Sequence, residues 1–252
     1  MKLEICIASA KSAEIASEFA IDRLELNSGL ELGGLTPDIA LLDYIKSFSE
    51  IPVMCMIRPR PSGFCYNKSE FMMMRRSIDN FLSCGTDGIV IGFLKNNATI
   101  DREKCLEIRK AVPENIDLVF HRAFDFTEDL TESAKILEDC GFTRILTSGG
   151  EYSAVAGKEK IKKLIESFKH IEILPGAGIN PENCLEFIKY TRAKQLHGTF
   201  SNCRRDLSTS GNKLNLTGFK DYDENSYLET SSEKLKSLIM KLKSDLGSKN
   251  VI

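Results

Sequence analysis

The sequence alternates eight short β-like runs with helix-like segments, and many of the runs end in polar residues. Examples are Ile-Arg-Pro-Arg at residues 57–60, Phe-His-Arg-Ala-Phe-Asp at 120–125 and His-Gly-Thr at 197–199. In a parallel barrel the carboxyl ends of all strands meet on one face, so residues distant in sequence come together there. We therefore predict an α/β protein with a TIM (β/α)8 barrel, whose functional site is built from these strand ends.

An open, doubly wound parallel sheet is the competing architecture for such an alternating pattern. That fold normally carries a glycine-rich turn after its first strand, whereas residues 8–11 here read Ala-Ser-Ala-Lys. The barrel is therefore favoured. The predicted strands lie at residues 3–7, 23–26, 53–57, 88–91, 118–120, 144–147, 172–174 and 194–197.

One barrel accounts for the length of 252 residues, because about 250 residues are typical of this fold. We predict a single domain with a barrel core at residues 1–200, an irregular segment at 201–230 and a C-terminal helix at 231–246. The polar stretch at 202–225 is interpreted either as an excursion over the barrel mouth or as an ordinary surface loop.

Charge and composition exclude several classes of partner. The net charge is −2, from 34 basic and 36 acidic residues, which gives no reason to expect nucleic acid or an anionic membrane. No apolar run approaches the roughly 20 residues that span a bilayer, and Glu4 interrupts any signal-peptide core, so we expect a cytoplasmic protein. The eight cysteines form no Cys-x-x-Cys pair, which argues against a zinc ribbon.

Side-chain alternation along the predicted strands places polar groups inside the barrel. The residues predicted to point inward include Glu4, Cys6, Glu25, Asn27, Arg58, His121, Ile145, Thr147 and His197. Buried charges are costly unless they are paired or used, and carboxylates, a guanidinium and imidazoles in one cavity make an acid/base site. The alternatives are a polar network, such as a Glu25–Arg58 pair, that only fixes strand register, or single histidines that are merely hydrogen-bonded.

A second set of residues predicts an anion site at the barrel mouth. TIM barrels often bind phosphate with the loops after strands seven and eight, and glycine lets backbone N–H groups approach an anion closely. The predicted substrate-binding or anion-binding residues are Arg60, Arg122, Asp125, Thr147, Ser148, Gly149, Gly150, Gly176, Gly178 and Gly198. The alternative is that tight βα turns alone require these glycines.

Several of these motifs together resemble the CutC family of copper homeostasis proteins. They include residues 3–6 (Leu-Glu-Ile-Cys), 56–60 (Met-Ile-Arg-Pro-Arg), 120–125, 144–150 (Arg-Ile-Leu-Thr-Ser-Gly-Gly) and 175–180 (Pro-Gly-Ala-Gly-Ile-Asn). The resemblance covers about the first 200 residues. It implies a TIM barrel in a cytoplasmic homo-oligomer, with a dimer favoured, and a connection with copper handling. Many relatives have cysteine at the position of Asn27, so a thiol pair suggested as a Cu(I) site in some relatives keeps only Cys6 here.

Three functional hypotheses follow, with a metal ion or a small molecule as the expected ligand. The family resemblance implies a copper homeostasis protein that binds Cu(I) through Cys6. The polar interior instead favours an enzyme acting on a small anionic metabolite, in which His121 or His197 is the general acid/base, Glu4 or Glu25 is its partner, and Arg58 holds substrate charge. A non-catalytic module with a plugged barrel is the third hypothesis.

Overall fold

Eight parallel strands form the centre of the fold, in the order β7-β6-β5-β4-β3-β2-β1-β8, in a computed structural model that describes residues 1–211, 223 and 225–246. The strands are β1 (Lys2–Ile7), β2 (Arg23–Leu26), β3 (Val53–Met56), β4 (Gly88–Ile91), β5 (Asp117–Phe120), β6 (Arg144–Thr147), β7 (Glu172–Pro175) and β8 (Gln195–Gly198). At the seam between β7 and β8, the Gln195 side chain donates a hydrogen bond to the Ile173 carbonyl oxygen at 3.1 Å. The predicted TIM barrel is confirmed.

Helices alternate with the strands and cover the barrel. They are α1 (Ala10–Ser17), α2 (Ile39–Lys46), α3 (Lys68–Ser83), α4 (Arg102–Ala111), α5 (Leu130–Asp139), α6 (Lys158–Ser167), α7 (Cys184–Thr191) and α8 (Ser232–Leu246). The longest, α3, begins with a capping box in which Asn67 accepts from the Glu70 backbone N–H and Glu70 accepts from that of Asn67. Such reciprocal bonds satisfy two N–H groups that a helix start otherwise leaves unpaired.

Successive side chains of each strand point to opposite sides of the sheet, so the apolar residues form two separate regions. Leu3, Ile5 and Ile7 of β1 belong to the large core between strands and helices. A small inner cluster, formed by Met54, Met56, Val90 and Val119, lies inside the barrel. The predicted orientations of β1, β3 and β5 agree with this arrangement.

A charged layer fills the barrel near the amino ends of the strands. Arg23 Nε lies 2.8 Å from Glu4 Oε2, and Arg23 also donates to Gln195 Oε1 at 2.6 Å. Arg144 Nη1 lies 3.9 Å from Glu4 Oε2, and all four residues are buried. We call Glu4, Arg23, Arg144 and Gln195 the base layer.

Arg144 in this layer corrects the predicted orientation of β6. Arg144 and Leu146 point inward, toward Glu4 and toward the cavity described below. Ile145 instead belongs to the outer core, and Thr147 bonds to the loop after β5. The predicted inward orientation of Ile145 and Thr147 is therefore wrong. The prediction failed because Ile145 and Leu146 are adjacent and both apolar, so the sequence does not show which of them faces the barrel interior.

Part of the segment at 201–230 is regular. Strands β9 (Ser201–Arg205) and β10 (Ser226–Thr230) form an antiparallel pair, and the Thr230 N–H donates to Ser12 Oγ on α1 at 3.1 Å. The central part of the predicted loop at 202–225, residues 212–222 and 224, lies outside the described residues. Among the described residues, no helix has the length and apolar character needed to cross a membrane.

Candidate functional site

A cavity of about 300 Å³ opens among the carboxyl ends of the strands. We call it the central cavity. Its walls combine inward side chains of β1 to β3 with the loops that follow the later strands. Its lining residues include Cys6, Glu25, Asn27, Met56, Arg58, Phe64, His121, Arg122, Leu146, Ala177, Gly178, Ile179, His197, Gly198 and Thr199. Four of the five predicted catalytic residues are thus brought together, and the fifth, Glu4, lies beneath them in the base layer.

Asn27 connects two of the acidic groups in the cavity wall. Its Nδ2 donates to Glu25 Oε1 at 2.8 Å and to Cys6 Sγ at 3.3 Å. Within the described part of the chain, Glu25 Oε2 and Asn27 Oδ1 are buried without a hydrogen-bond partner. Burial raises the pKa of Glu25, and burial together with the charge of Glu25 raises the pKa of the Cys6 thiol well above its usual value.

His197 is oriented from below by Glu4. Its Nδ1 lies 2.9 Å from Glu4 Oε1, and because a carboxylate accepts, Nδ1 carries the proton and Nε2 is left for a ligand. Burial lowers the pKa of His197, but the charge of Glu25 and the contact with Glu4 outweigh it, so this pKa is raised. Burial likewise opposes ionisation of Glu4, yet His197 and the two arginines of the base layer lower its pKa to about 2.

Three potential metal ligands converge at this point. Cys6 Sγ, a Glu25 carboxylate oxygen and a ring nitrogen of His197 lie within 4.8 Å of one another, and all three residues are buried. The sequence predicted only Cys6 as a metal ligand. The alternation of side chains along the strands predicted that Glu25 and His197 point into the barrel, but it did not predict how close they are. Their proximity follows from the pairing of β2 and β8 on either side of β1.

His121 is held as a neutral donor. Its Nδ1 accepts from the Ala123 N–H at 3.1 Å, so the ring proton resides on Nε2, for which no partner exists within the described part of the chain. Burial and the nearby Arg58 lower the pKa of His121 to about 3. Gly92 makes room for the ring, because a Cβ there would lie 2.4 Å from His121 Cε1.

Arg58 lacks the carboxylate partner that a Glu25–Arg58 pair would supply. Its guanidinium donates to the carbonyl oxygens of Leu32 and Gly34, both at 2.8 Å, and to that of Ser62 at 3.0 Å. Only 6% of the residue is exposed. Its positive charge is therefore not balanced by an ion pair within the described residues.

The loops after β7 and β8 present unused backbone donors. Ala177 and Gly178 adopt left-handed conformations, with φ of 76° and 75°. In the described part of the chain, the N–H groups of Ala177, Gly178, Ile179 and Thr199 donate no hydrogen bond, and all four residues line the cavity. The predicted anion site after these strands therefore has free donors. Gly176 is an exception, because its N–H donates to the Thr147 carbonyl oxygen at 3.0 Å.

The loop after β6 does not have such free donors. The carboxylate of Asp125 accepts from the N–H groups of Ser148 and Gly150, at 3.0 and 3.1 Å, and from the Thr147 hydroxyl. The Gly149 N–H donates to Thr147 Oγ1 at 2.8 Å. The donors of residues 147–150 are therefore already used within the protein, and the geometry gives no support to the predicted anion binding by this loop.

The two remaining predicted residues have different surroundings. Arg60 is paired with Glu70 and does not line the central cavity, so it belongs to the surface beside it. Arg122 does line the cavity, and its Nε pairs with Asp125 at 2.8 Å. Asp125 thus holds Arg122 beside the cavity, and the substrate-binding or anion-binding role of both residues stays a prediction.

Comparisons with known proteins show that the chain is similar to members of one family. Residues 1–202 match the model of the CutC family. A CutC family protein of Treponema denticola is 41% identical over 213 residues, covering 84% of this chain and 86% of the relative. The human "Copper homeostasis protein cutC homolog" is 38% identical over 196 residues, covering 77% of this chain and 71% of the relative.

Solved structures give the same result for the architecture. The crystal structure of a CutC from Streptococcus agalactiae is similar with a TM-score of 0.75 and 32% identity, covering 79% of this chain and 98% of that one. N-(5'-phosphoribosyl)anthranilate isomerase from Pyrococcus furiosus is similar with a TM-score of 0.57 at 14% identity, covering 97% and 99% of the two chains. This second likeness concerns the fold alone.

Proposed function

The chain belongs to the CutC family, and within that family we propose that it is an enzyme that moves a proton next to a carbonyl group of a small anionic metabolite. The observation that carries the proposal is the convergence of Glu25 and His197, each with an unpartnered atom or a free ring nitrogen, in one cavity. Titratable groups whose pKa values are shifted in a cleft are candidates for functional sites.

The chemistry assigns one role to each side chain. Glu25 and His197 exchange protons with the substrate carbon and oxygen, because a carboxyl group and an imidazole that lie within 4.8 Å of each other in the cavity can act as general base and general acid. His121 donates its Nε2–H to the carbonyl oxygen. As a neutral imidazole it polarises that oxygen without giving up its proton.

The charge of the substrate has two supports in the site. The free N–H groups of Ala177, Gly178, Ile179 and Thr199 can bind an anionic oxygen, and Arg58 supplies an unneutralised positive charge on the opposite wall. Glu4 acts through His197, since it fixes the ring tautomer from the base layer. The proposed substrate is therefore small, carbonyl-bearing and anionic.

Solvent deuterium exchange tests this function and does not require that the product be identified. We expect at least one compound, in a panel of phosphorylated and carboxylated carbonyl metabolites incubated with the protein in D₂O, to exchange a carbon-bound hydrogen beside its carbonyl, as followed by NMR. The same compound should raise the Tm, because a ligand that binds only the folded state stabilises it. A panel that neither exchanges nor stabilises would contradict the proposal.

Cu(I) binding is a second candidate, and the specific observation in its favour is the Cys6, Glu25 and His197 cluster. Thiolate and imidazole both suit copper, so Cys6 and His197 fit as ligands. The fit is limited by the protonated state of the Cys6 thiol, whose pKa is raised by burial and by Glu25, because the ion has to displace that proton. Asn27 contributes no thiolate.

A chelator competition experiment addresses copper directly. If the cluster binds copper as cargo, the wild type should retain one Cu(I) per chain against a strong Cu(I) chelator, and Cys6→Ser should retain none. Cys203→Ser is the matched control, because Cys203 is exposed and far along the chain from the cluster. Equal retention by Cys6→Ser and the wild type would remove this candidate.

The cellular location and the oligomeric state of the protein remain predictions. The sequence favours a cytoplasmic protein that forms a homo-oligomer, with a dimer as the first expectation, and that does not bind nucleic acid. Exposed Met72 and Met73 on α3 provide an apolar surface that suits self-association. Sedimentation of the purified protein measures the oligomeric state.

A further inference from the structure

An open groove of about 1000 Å³ adjoins the central cavity. We call it the entrance groove. It shares part of its wall with the cavity, namely Gly33, Arg58, Phe64 and Arg122. Its own lining adds Arg60, Cys65, Lys95 and Phe126. The proposed enzymatic roles use none of these four residues.

The entrance groove is positively charged. Its lining contains three arginines and a lysine but no aspartate or glutamate. Arg60 and Arg122 are neutralised by Glu70 and Asp125. Arg58 has only carbonyl partners, and Lys95 makes no ion pair with any described residue. About two positive charges are therefore left unbalanced along this surface, which favours a negatively charged ligand.

Aromatic rings form the rest of the groove wall and extend from the protein surface to the central cavity. Phe126 is 65% exposed, although a large apolar side chain is normally buried. Its ring centroid lies 5.6 Å from that of Phe64, which in turn lies 5.0 Å from the ring of His121 in the cavity. The Arg58 guanidinium lies 5.4 Å from the centroid of Phe64. Flat ligands pack favourably on such faces.

We propose that the entrance groove binds a planar, negatively charged part of a ligand whose other end occupies the central cavity. The combination of ring faces with unbalanced cations recognises an aromatic or otherwise conjugated carboxylate, sulfonate or phosphate ester. Identification of this ligand as the substrate rests on the proposed function. The binding preference of the groove does not, because it depends on Phe64, Phe126, Arg58 and Lys95 alone.

Protection of Cys65 from alkylation tests the groove. Cys65 is exposed and lines it, while Cys203 is also exposed but lies on β9, so it is an internal reference in the same sample. We expect 2-naphthoate to slow the reaction of Cys65 with iodoacetamide by about fivefold, as measured by mass spectrometry, and to leave Cys203 unaffected. Cyclohexanecarboxylate, which is not planar, and 2-naphthalenemethanol, which is not charged, should protect much less at equal concentration.

Substitutions test whether the protection of Cys65 depends on the residues that line the groove. Phe126→Ala and Lys95→Gln should each weaken protection, whereas Tyr152→Ala should not, because Tyr152 is 88% exposed and does not line the groove. No protection, equal protection by all three compounds, or full protection in Phe126→Ala would overturn the proposal. The two hypotheses can fail separately: if the wild type exchanges hydrogen in no compound but 2-naphthoate still protects Cys65, the proposed function fails and the groove stands. If the function is right, Glu25→Gln should lose exchange and keep the protection of Cys65, because Glu25 does not line the groove.

Discussion

Replacement of Glu4 by glutamine is expected to lower the free energy of unfolding by about 3 kcal/mol or more. Glu4 is the negative centre of the base layer, with Arg23 at 2.8 Å, Arg144 at 3.9 Å and His197 at 2.9 Å. Glutamine retains the shape but removes the charge, so the buried Arg23 loses its ion-pair partner among the described residues. Arg144 is affected less, because it keeps Asp117 at 2.8 Å and Glu172 at 3.2 Å. Urea denaturation at neutral pH measures the change.

The pH dependence of the same variant provides an independent check. The pKa of Glu4 is lowered from its usual value to about 2 in the folded protein. A depressed carboxyl pKa contributes stability that is full above the unfolded value near 4.5 and is lost as the pH falls toward 2. The difference between wild type and Glu4→Gln should therefore shrink across this interval.

Glu14→Gln is the control, because Glu14 is a partly exposed surface residue paired with the exposed Lys11, and such surface pairs contribute little. A Glu4→Gln protein as stable as Glu14→Gln would mean that Glu4 does not hold the base layer together.

Glu25→Gln and His197→Gln are each expected to reduce the rate of substrate deuterium exchange by about 10²- to 10⁴-fold. Glutamine cannot take up a proton at the pH of the assay, yet at position 25 it can still accept the hydrogen bond that Asn27 donates at 2.8 Å. The expected effect is therefore on the rate constant, with a smaller effect on substrate affinity. NMR-monitored exchange under saturating substrate separates the two.

His170→Gln is a matched control for His197→Gln, because His170 is exposed and does not line the cavity. Both variants should retain the fold, as judged by Tm and circular dichroism. If Glu25→Gln exchanges hydrogen at the wild-type rate, the acid/base role proposed for Glu25 is wrong.

The orientation of most barrel strands was predictable because polar and apolar residues alternate in them. In β1, the outward Leu3, Ile5 and Ile7 leave only Glu4 and Cys6 for the interior, and the structure agrees. In β6 the sequence Ile145–Leu146 has no such alternation, so the phase assigned to it was wrong. The informative residue there was Arg144, whose buried charge is balanced by Asp117 at 2.8 Å, Glu172 at 3.2 Å and Glu4 at 3.9 Å.

The loops were harder to predict because their partners come from elsewhere in the chain. The glycine-rich residues 148–150 look like an anion site, and they do surround a carboxylate, but it is the carboxylate of Asp125 from the preceding loop. The entrance groove could not be predicted from the sequence for the same reason. Phe64 and Phe126 are separated by 62 positions, and only the adjacency of β3, β4 and β5 brings their rings together.

The base layer also determines how molecules travel through the protein. Because Arg23, Arg144 and Gln195 pack around Glu4 beneath the central cavity, the cavity is closed at its lower end and opens only at the barrel mouth. Whatever arrives through the mouth has to depart through it, so an incoming molecule must wait until the previous occupant has gone. Under the proposed function, we therefore expect the product to inhibit by competing with the substrate.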